Sequence, residues 1–175
     1  MKNRFSILAW LLAITCSLMC PALAQELVKP GAEHAFLAEL VGEWTVKFET
    51  PGGEWTGKNV YKMAHGGLWL TSELDCKTPE GPFTGQGLDT YNPAKKKYVG
   101  IWVDSMSTMP IVLEGERSAD GKTLTMTGKG PGMDGNPADF KTVTEYNSKD
   151  KHTFKMWMGQ TTGEPMMKAV YERKK

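Results

Sequence analysis

The spacing of apolar residues changes at Gly42, and the change predicts where the strands begin. Before this glycine, the apolar residues of segment 33–41 cluster on one side at 3.6 residues per turn, which predicts a short helix that ends there. After it, residues 43–49 alternate between apolar and polar, with Trp44 and Phe48 on the apolar face. That alternation is typical of a strand with one buried and one solvated face. The pattern therefore predicts a helix over residues 33–41 that is too short to form a core, followed by β structure.

Turn-forming residues divide the rest of the chain at short intervals. Clusters rich in Gly, Pro, Asn and Asp favour turns through a positive φ or a fixed proline φ. They fall at 51–53, 65–67, 78–82, 92–94, 107–110, 119–121, 130–137, 147–150 and 159–163. The ten stretches that remain are each about 6–11 residues long, and many short strands at even spacing predict a sandwich or a barrel. No helical stretch separates them, which excludes a parallel βαβ arrangement.

The lengths of the connections favour a barrel over a sandwich. Almost every break is short enough for a hairpin between neighbouring antiparallel strands, whereas Greek-key sandwiches need some long crossovers. An open meander of ten strands would leave two exposed edges, and closure removes them. The sequence therefore predicts an all-β fold, a closed antiparallel up-and-down barrel of about ten strands with a short N-terminal helix.

Glycines within the predicted strands share the inward phase of the large aromatic residues. The six positions are Gly57, Gly85, Gly87, Gly100, Gly115 and Gly128. Glycine weakens a strand unless it bends the strand or lets another group approach closely. Two interpretations follow: barrel curvature with a ring lying over each glycine, or space left for a ligand.

Residues 1–24 have the three-part pattern of a secretory signal peptide. Lys2 and Arg4 supply a positive region, segment 5–19 is apolar, and Ala22-Leu23-Ala24 is a small-x-small cleavage site. The apolar run is shorter than the about 20 residues of a membrane span. We expect cleavage after Ala24, export to the periplasm or the extracellular space, and a single mature domain over residues 25–175.

The charge balance excludes electrostatic recruitment by nucleic acid or by anionic membranes. The sequence has 21 Lys and Arg against 20 Asp and Glu, and without Lys2 and Arg4 the net charge is −1. Of the three cysteines, only Cys76 lies beyond residue 24, so an intrachain disulfide in the mature domain is excluded. We expect Cys76 to be an inert or partly exposed thiol. The sequence leaves the oligomeric state open.

The chain resembles lipocalin-type (calycin) barrels at Gly42-Glu43-Trp44, which matches the Gly-x-Trp that these proteins carry at the first strand. A wider pattern resembles a secreted bacterial family, the domain of unknown function 1579. This pattern comprises residues 40–44, 66–70, 85–92 and 98–108. The resemblance covers nearly all of the mature chain and implies a lipocalin-like barrel. It implies no activity and no functional residue.

Haem-binding nitrobindins resemble this architecture more distantly, and they ligate iron through a histidine close to the C terminus. The last predicted strand, residues 167–172, contains no histidine. The nearest candidate, His152, starts the preceding strand in a Lys-rich turn. We therefore expect no haem and no other cofactor.

A ligand-binding lumen is the function that the predicted fold favours. An eight-stranded barrel is just wide enough to be filled by side chains or one small ligand, so ten strands should leave a cavity. We expect a small apolar or amphipathic ligand there. The residues predicted to line the cavity are Trp44, Tyr61, Trp102, Asp104, Met126 and Met156.

An enzyme is the first alternative, because Asp89 and Asp104 fall on the inward phase. A buried carboxylate is hydrogen-bonded, neutralised, or left with a raised pKa that suits acid–base chemistry. The structural interpretation places both near a rim, bonded to turn backbone or to a tyrosine. His34, His65 and His152 are expected at surface or turn positions, since none lies in a recognisable nucleophile motif.

Copper binding is the second alternative. Thioethers bind Cu(I), and Met156-Trp157-Met158 has a histidine nearby. Methionines also fill irregular gaps, so the same residues suit the lining of a wide lumen, and we assign no metal ligand. The sequence leaves the identity of the ligand, the presence of catalysis and the physiological process open.

Overall fold

A computed structural model describes residues 28–78 and 80–175, which form one short helix and ten strands. The helix α1 is Ala32–Ala38, and a 3-10 helix occupies His65–Gly67. The strands are β1 Gly42–Thr50, β2 Gly53–Ala64, β3 Trp69–Thr78, β4 Gly81–Asn92, β5 Lys97–Asp104, β6 Ile111–Arg117, β7 Thr123–Pro131, β8 Pro137–Ser148, β9 Lys151–Met158 and β10 Met167–Arg173. The signal peptide predicted over 1–24 lies outside the described residues and stays a prediction. Within the described part of the chain, no helix has the length and apolar character that a membrane crossing requires.

The strands form a closed antiparallel ring. Each strand pairs with its neighbours in sequence, and β1 pairs with β10 to complete the circle. The closing register sets Trp44 opposite Arg173 and Phe48 opposite Ala169. The prediction of an up-and-down barrel of ten strands is confirmed, and it follows from short turns that force each strand to pair with the next.

Helix α1 covers one end of the barrel, which we call the closed end; the opposite end is the mouth. The Phe36 ring contacts Tyr98 on β5 and Tyr146 on β8, with ring centroids 5.8 and 4.9 Å apart. The Arg117 guanidinium lies 3.5 Å from the centroid of the same ring. The helix therefore joins distant strands across the closed end.

The helix ends three residues earlier than the apolar spacing predicts, and side chains of the barrel bind the carbonyls of the three residues that follow it. Trp44 Nε1 donates to Leu40 O at 2.8 Å. Arg173 donates to Val41 O at 2.5 Å and to Glu39 O at 2.6 Å. These bonds satisfy the carbonyls of residues 39–41, which therefore form a connection fixed to the barrel.

Neighbouring groups cover all six inward glycines. The Trp102 ring lies over Gly85 and Gly87, and an added Cβ at Gly85 would come within 2.2 Å of the ring. At Gly115 and Gly128, an added Cβ would lie 1.9 Å from a backbone oxygen of the adjacent strand. Cys76 covers Gly57, and the Asp89 carboxyl covers Gly100. A ring therefore covers only Gly85 and Gly87, and other groups occupy the space beside the remaining four. Gly87 and Gly100 also line the lumen, so the interpretation of the glycines as space for a ligand stays a prediction.

Cys76 lies inside the wall of the barrel. It is 3% exposed, and its Sγ lies 3.7 Å from Phe83 O. Burial, followed by the nearby charge of Asp75, raises the pKa of the thiol to about 11. The expectation of an inert thiol agrees with this position, whereas partial exposure is wrong.

Candidate functional site

The lumen of the barrel contains a cavity of about 730 Å³. Its floor includes Leu37 and Leu40 from the segment at the closed end, and its mouth includes Thr50, Glu80 and Met106. Its walls are apolar and aromatic over most of their area. Pockets for small organic ligands in proteins fall in the range of about 300–1,000 Å³. The cavity is therefore large enough for a molecule of that class.

Five of the six residues predicted to line the lumen do so: Tyr61, Trp102, Asp104, Met126 and Met156. Trp44 does not. It is 1% exposed, and the Arg173 guanidinium lies 4.3 Å from the centroid of its ring. As the first inward residue of β1, Trp44 lies at the level of α1, where it fastens the closed end. The role of the other five in binding stays a prediction.

Asp104 lies at the mouth with both carboxylate oxygens engaged. Oδ2 accepts a hydrogen bond from Trp102 Nε1 at 3.0 Å, and Oδ1 accepts one from the backbone N–H of Met106 at 2.9 Å. The structural interpretation of Asp104 is therefore right as to the rim and the turn backbone. Its visible role is to orient Trp102 over Gly85 and Gly87.

Asp89 lies deep in the lumen, toward the closed end. In the ring, it pairs with Leu70 on β3 and Gly100 on β5. No hydrogen bond and no cation within the described residues reaches its carboxyl, and burial raises the pKa of that carboxyl to about 7. The structural interpretation of Asp89 as a rim residue bonded to its surroundings is wrong. Of the two predicted carboxylates, Asp89 is therefore the one whose carboxyl is available to bind a ligand or to exchange a proton.

Aromatic side chains surround this carboxyl from other strands. Burial above all, and in addition nearby charge including that of Asp89, raises the pKa of Tyr61, Tyr146 and Tyr171. These phenols therefore remain protonated at neutral pH and act as hydrogen-bond donors. The floor of the cavity combines three neutral phenols with one carboxyl.

His152 also lines the cavity, contrary to the expectation of a surface or turn position. It is 3% exposed, and its ring stacks on Tyr171 with centroids 4.4 Å apart. Burial, followed by the charge of Arg173, lowers the pKa of His152 to about 3, so the imidazole is neutral. Its Nδ1 has no hydrogen-bond partner in the described structure. As the second residue of β9, it shares the inward phase of Phe154 and Met156, which the adjoining lysines obscured.

The prediction of a surface or turn position fails for one of the other two histidines and holds for the other. His34 is 6% exposed, so its predicted surface position is also wrong; its Nδ1 accepts a hydrogen bond from Gly31 N at 3.1 Å. This bond fixes the start of α1. His65 lies in the connection after β2, with φ 49°, as expected for a turn.

The copper alternative stays a prediction. Met156 lines the lumen opposite Met167 on β10, and Met158 pairs with Phe140 on β8. No group of three or more His, Cys, Asp or Glu residues that could hold a metal occurs among the described residues.

Comparison with known proteins places this barrel in a family. The family described as a protein of unknown function, DUF1579, matches residues 29–173. The chain belongs to this family. No curated protein matches the sequence.

Solved structures share the architecture of this DUF1579 chain at low sequence identity. Rv2717c from M. tuberculosis is 14% identical with a TM-score of 0.60, over 83% of this chain and 99% of that chain. The S-type phycobiliprotein lyase CPES from Guillardia theta is 11% identical with a TM-score of 0.55, over 83% and 99%. These likenesses show the fold, and the predicted lipocalin-like barrel is confirmed.

Proposed function

We propose that this DUF1579 barrel is an exported module that binds one small apolar or amphipathic molecule in its lumen. The observation that carries the proposal is the cavity of about 730 Å³ with predominantly apolar walls and a mouth at one end. The covered end and the continuous wall leave the mouth as the route of entry.

The physical gain comes from removing an apolar ligand from water. Each buried methylene contributes about 0.8 kcal/mol, so a chain of ten carbons brings several kcal/mol even after the loss of its translational freedom. The wall of hydrogen-bonded strands is formed in advance, which reduces the ordering that binding requires.

The test introduces a larger side chain into the lumen from one strand of the wall. Leu113 lines the cavity in the middle of β6, opposite Gly100 and Gly128 on the adjacent strands. We expect Leu113→Trp to weaken binding of the neutral fluorophore N-phenyl-1-naphthylamine by at least about tenfold, because the indole occupies the volume that the probe needs. Fluorescence titration measures the change.

Val112→Trp is the matched control, since Val112 is the preceding residue of the same strand and its side chain is 43% exposed on the outer face. It should bind the probe like the wild type. If both variants keep wild-type affinity, the probe binds outside the barrel and the proposal is wrong. Circular dichroism of both variants verifies that the barrel still forms.

Export is the second part of the proposal and rests on residues 1–24 alone. N-terminal sequencing of the protein produced with its own leader should begin at Gln25. A product that retains Met1 would contradict export, without consequence for binding in the lumen.

A further inference from the structure

The charged residues that line the lumen are all acidic. They are Glu80 and Asp104 at the mouth and Asp89 near the floor, and no lysine or arginine lines the cavity within the described chain. We propose that the ligand is an amphipathic amine, whose protonated head binds Asp89 while its apolar tail points to the mouth. This inference rests on the proposed binding in the lumen and names the class of ligand.

The backbone places the Asp89 carboxyl at the inner wall. Its Oδ1 lies 2.7 Å from the position that a Cβ of residue 100 would take. A larger residue there would clash with the carboxyl, and Gly100 avoids this clash. Met126 from β7 approaches the same position, at 3.3 Å. The carboxyl therefore lies at the surface of the lumen, over Gly100 of β5 and close to the Met126 side chain of β7.

The arginines near the closed end are committed to other groups. Arg117 donates to Gly121 O at 3.0 and 2.6 Å and packs on Phe36. Arg173 binds the carbonyls that follow α1 and lies over Trp44. Neither contributes to the pKa of Asp89, which burial alone raises.

The titratable groups around Asp89 are neutral. The charge of Asp89 acts on Tyr61 on β2, Tyr146 on β8 and Tyr171 on β10, and Tyr98 on β5 and His152 on β9 line the same cavity. Burial raises the pKa of each phenol and lowers that of the imidazole. When Asp89 ionises, it is therefore the one charged side chain that lines the floor of the cavity among the described residues.

An ammonium group satisfies this site in three ways. It supplies the opposite charge that a buried carboxylate otherwise lacks, it donates hydrogen bonds to the carboxylate oxygens, and it is attracted to the faces of tyrosine rings. A fatty acid would bring a second negative charge to the same place. A neutral alcohol would gain the apolar contacts without the ion pair.

The experiment compares three ligands with the same ten-carbon tail. Decylamine, decanol and decanoate compete with N-phenyl-1-naphthylamine at pH 8 for the wild type and for Asp89→Asn. We expect decylamine to bind the wild type at least about tenfold more tightly than decanol, and decanoate to bind most weakly. Asp89→Asn should bind decylamine and decanol alike.

Glu73→Gln is the matched control, because it removes one negative charge from the outer face of the adjacent strand β3, where the Glu73 side chain is 56% exposed. It should keep the wild-type preference for the amine. Lowering the pH from 8 to 5.5 should weaken the binding of decylamine to the wild type, since the Asp89 carboxyl takes up a proton.

Two results would overturn the inference: a preference for decylamine that persists in Asp89→Asn, or equal affinities of decylamine and decanol for the wild type. In either case the proposed binding in the lumen stands if Leu113→Trp still weakens the fluorophore. If Leu113→Trp has no effect on the fluorophore, the proposed function fails and the inference fails with it.

Discussion

At the scale of single residues, Asp89 and His152 lie in the same lumen and respond to burial in opposite directions. Burial raises the pKa of the Asp89 carboxyl to about 7 and is the main cause that lowers the pKa of His152 to about 3. Both shifts favour the neutral form, as expected for ionisable groups in an apolar setting. Each residue therefore reduces stability in the pH range in which the unfolded chain would ionise it.

Replacing Asp89 with asparagine should stabilise the barrel at alkaline pH. An unfolded aspartate ionises near pH 4, so between about pH 4 and 7 the folded state binds more protons and its stability falls as the pH rises. We expect Asp89→Asn to exceed the wild type by about 2–4 kcal/mol at pH 8, and by little at pH 4. Urea unfolding at the two pH values measures the difference.

His152 gives the free energy of unfolding the opposite dependence on pH. Because its folded pKa is lowered, it reduces the stability of the barrel as the pH falls from about 6.5 toward 3. It is present in both proteins and cancels from the comparison. A variant whose free energy of unfolding matches that of the wild type at both pH values would show that the Asp89 carboxyl is well solvated.

At the scale of secondary structure elements, Arg173 fastens α1 to the barrel. Besides the carbonyls of Glu39 and Val41, its guanidinium binds Lys149 O at 2.9 Å and the Asp150 carboxylate at 3.1 Å. One side chain at the end of β10 thus joins the helix, the first strand and the β8–β9 turn.

Arg173→Ala should loosen the closed end. We expect a loss of about 1–3 kcal/mol in the free energy of unfolding, because several charge-assisted hydrogen bonds and the contact with Trp44 disappear together. Faster hydrogen exchange in α1 should accompany it. Lys174→Ala is the control, since Lys174 is 62% exposed and makes a single ion pair with Glu43. Equal stability of the two variants would contradict the role of Arg173.

At the scale of the whole molecule, the fold could be read from the sequence because its two determinants are local. Period-two alternation defines which residues face inward, and short turns define which strands are neighbours. Closure follows from the two edges that remain. These statements need no knowledge of how far each strand is displaced along its neighbour.

The site depends on that displacement, which the sequence does not reveal. Trp44, Asp89 and Asp104 share the inward phase, yet they lie at the closed end, deep in the lumen and at the mouth. The height of a residue along the barrel axis follows from the stagger of all ten strands, a property of the closed ring. The sequence therefore predicted that all three residues face inward. It did not predict that Asp89, and not Asp104, has a carboxyl without hydrogen-bond partners among the described residues.

The asymmetry of the two ends also governs how a cargo would be handed over. A barrel open at both ends could take up a ligand at one end and release it at the other, whereas in the proposed function a ligand would enter and leave through the mouth. A protein that accepted the ligand would therefore dock on the rim of the mouth, which includes Thr50, Glu80 and Met106. While bound there, such a protein would also block the entry of competing molecules. Release of the ligand and its protection from exchange would then depend on the same few loops at the mouth.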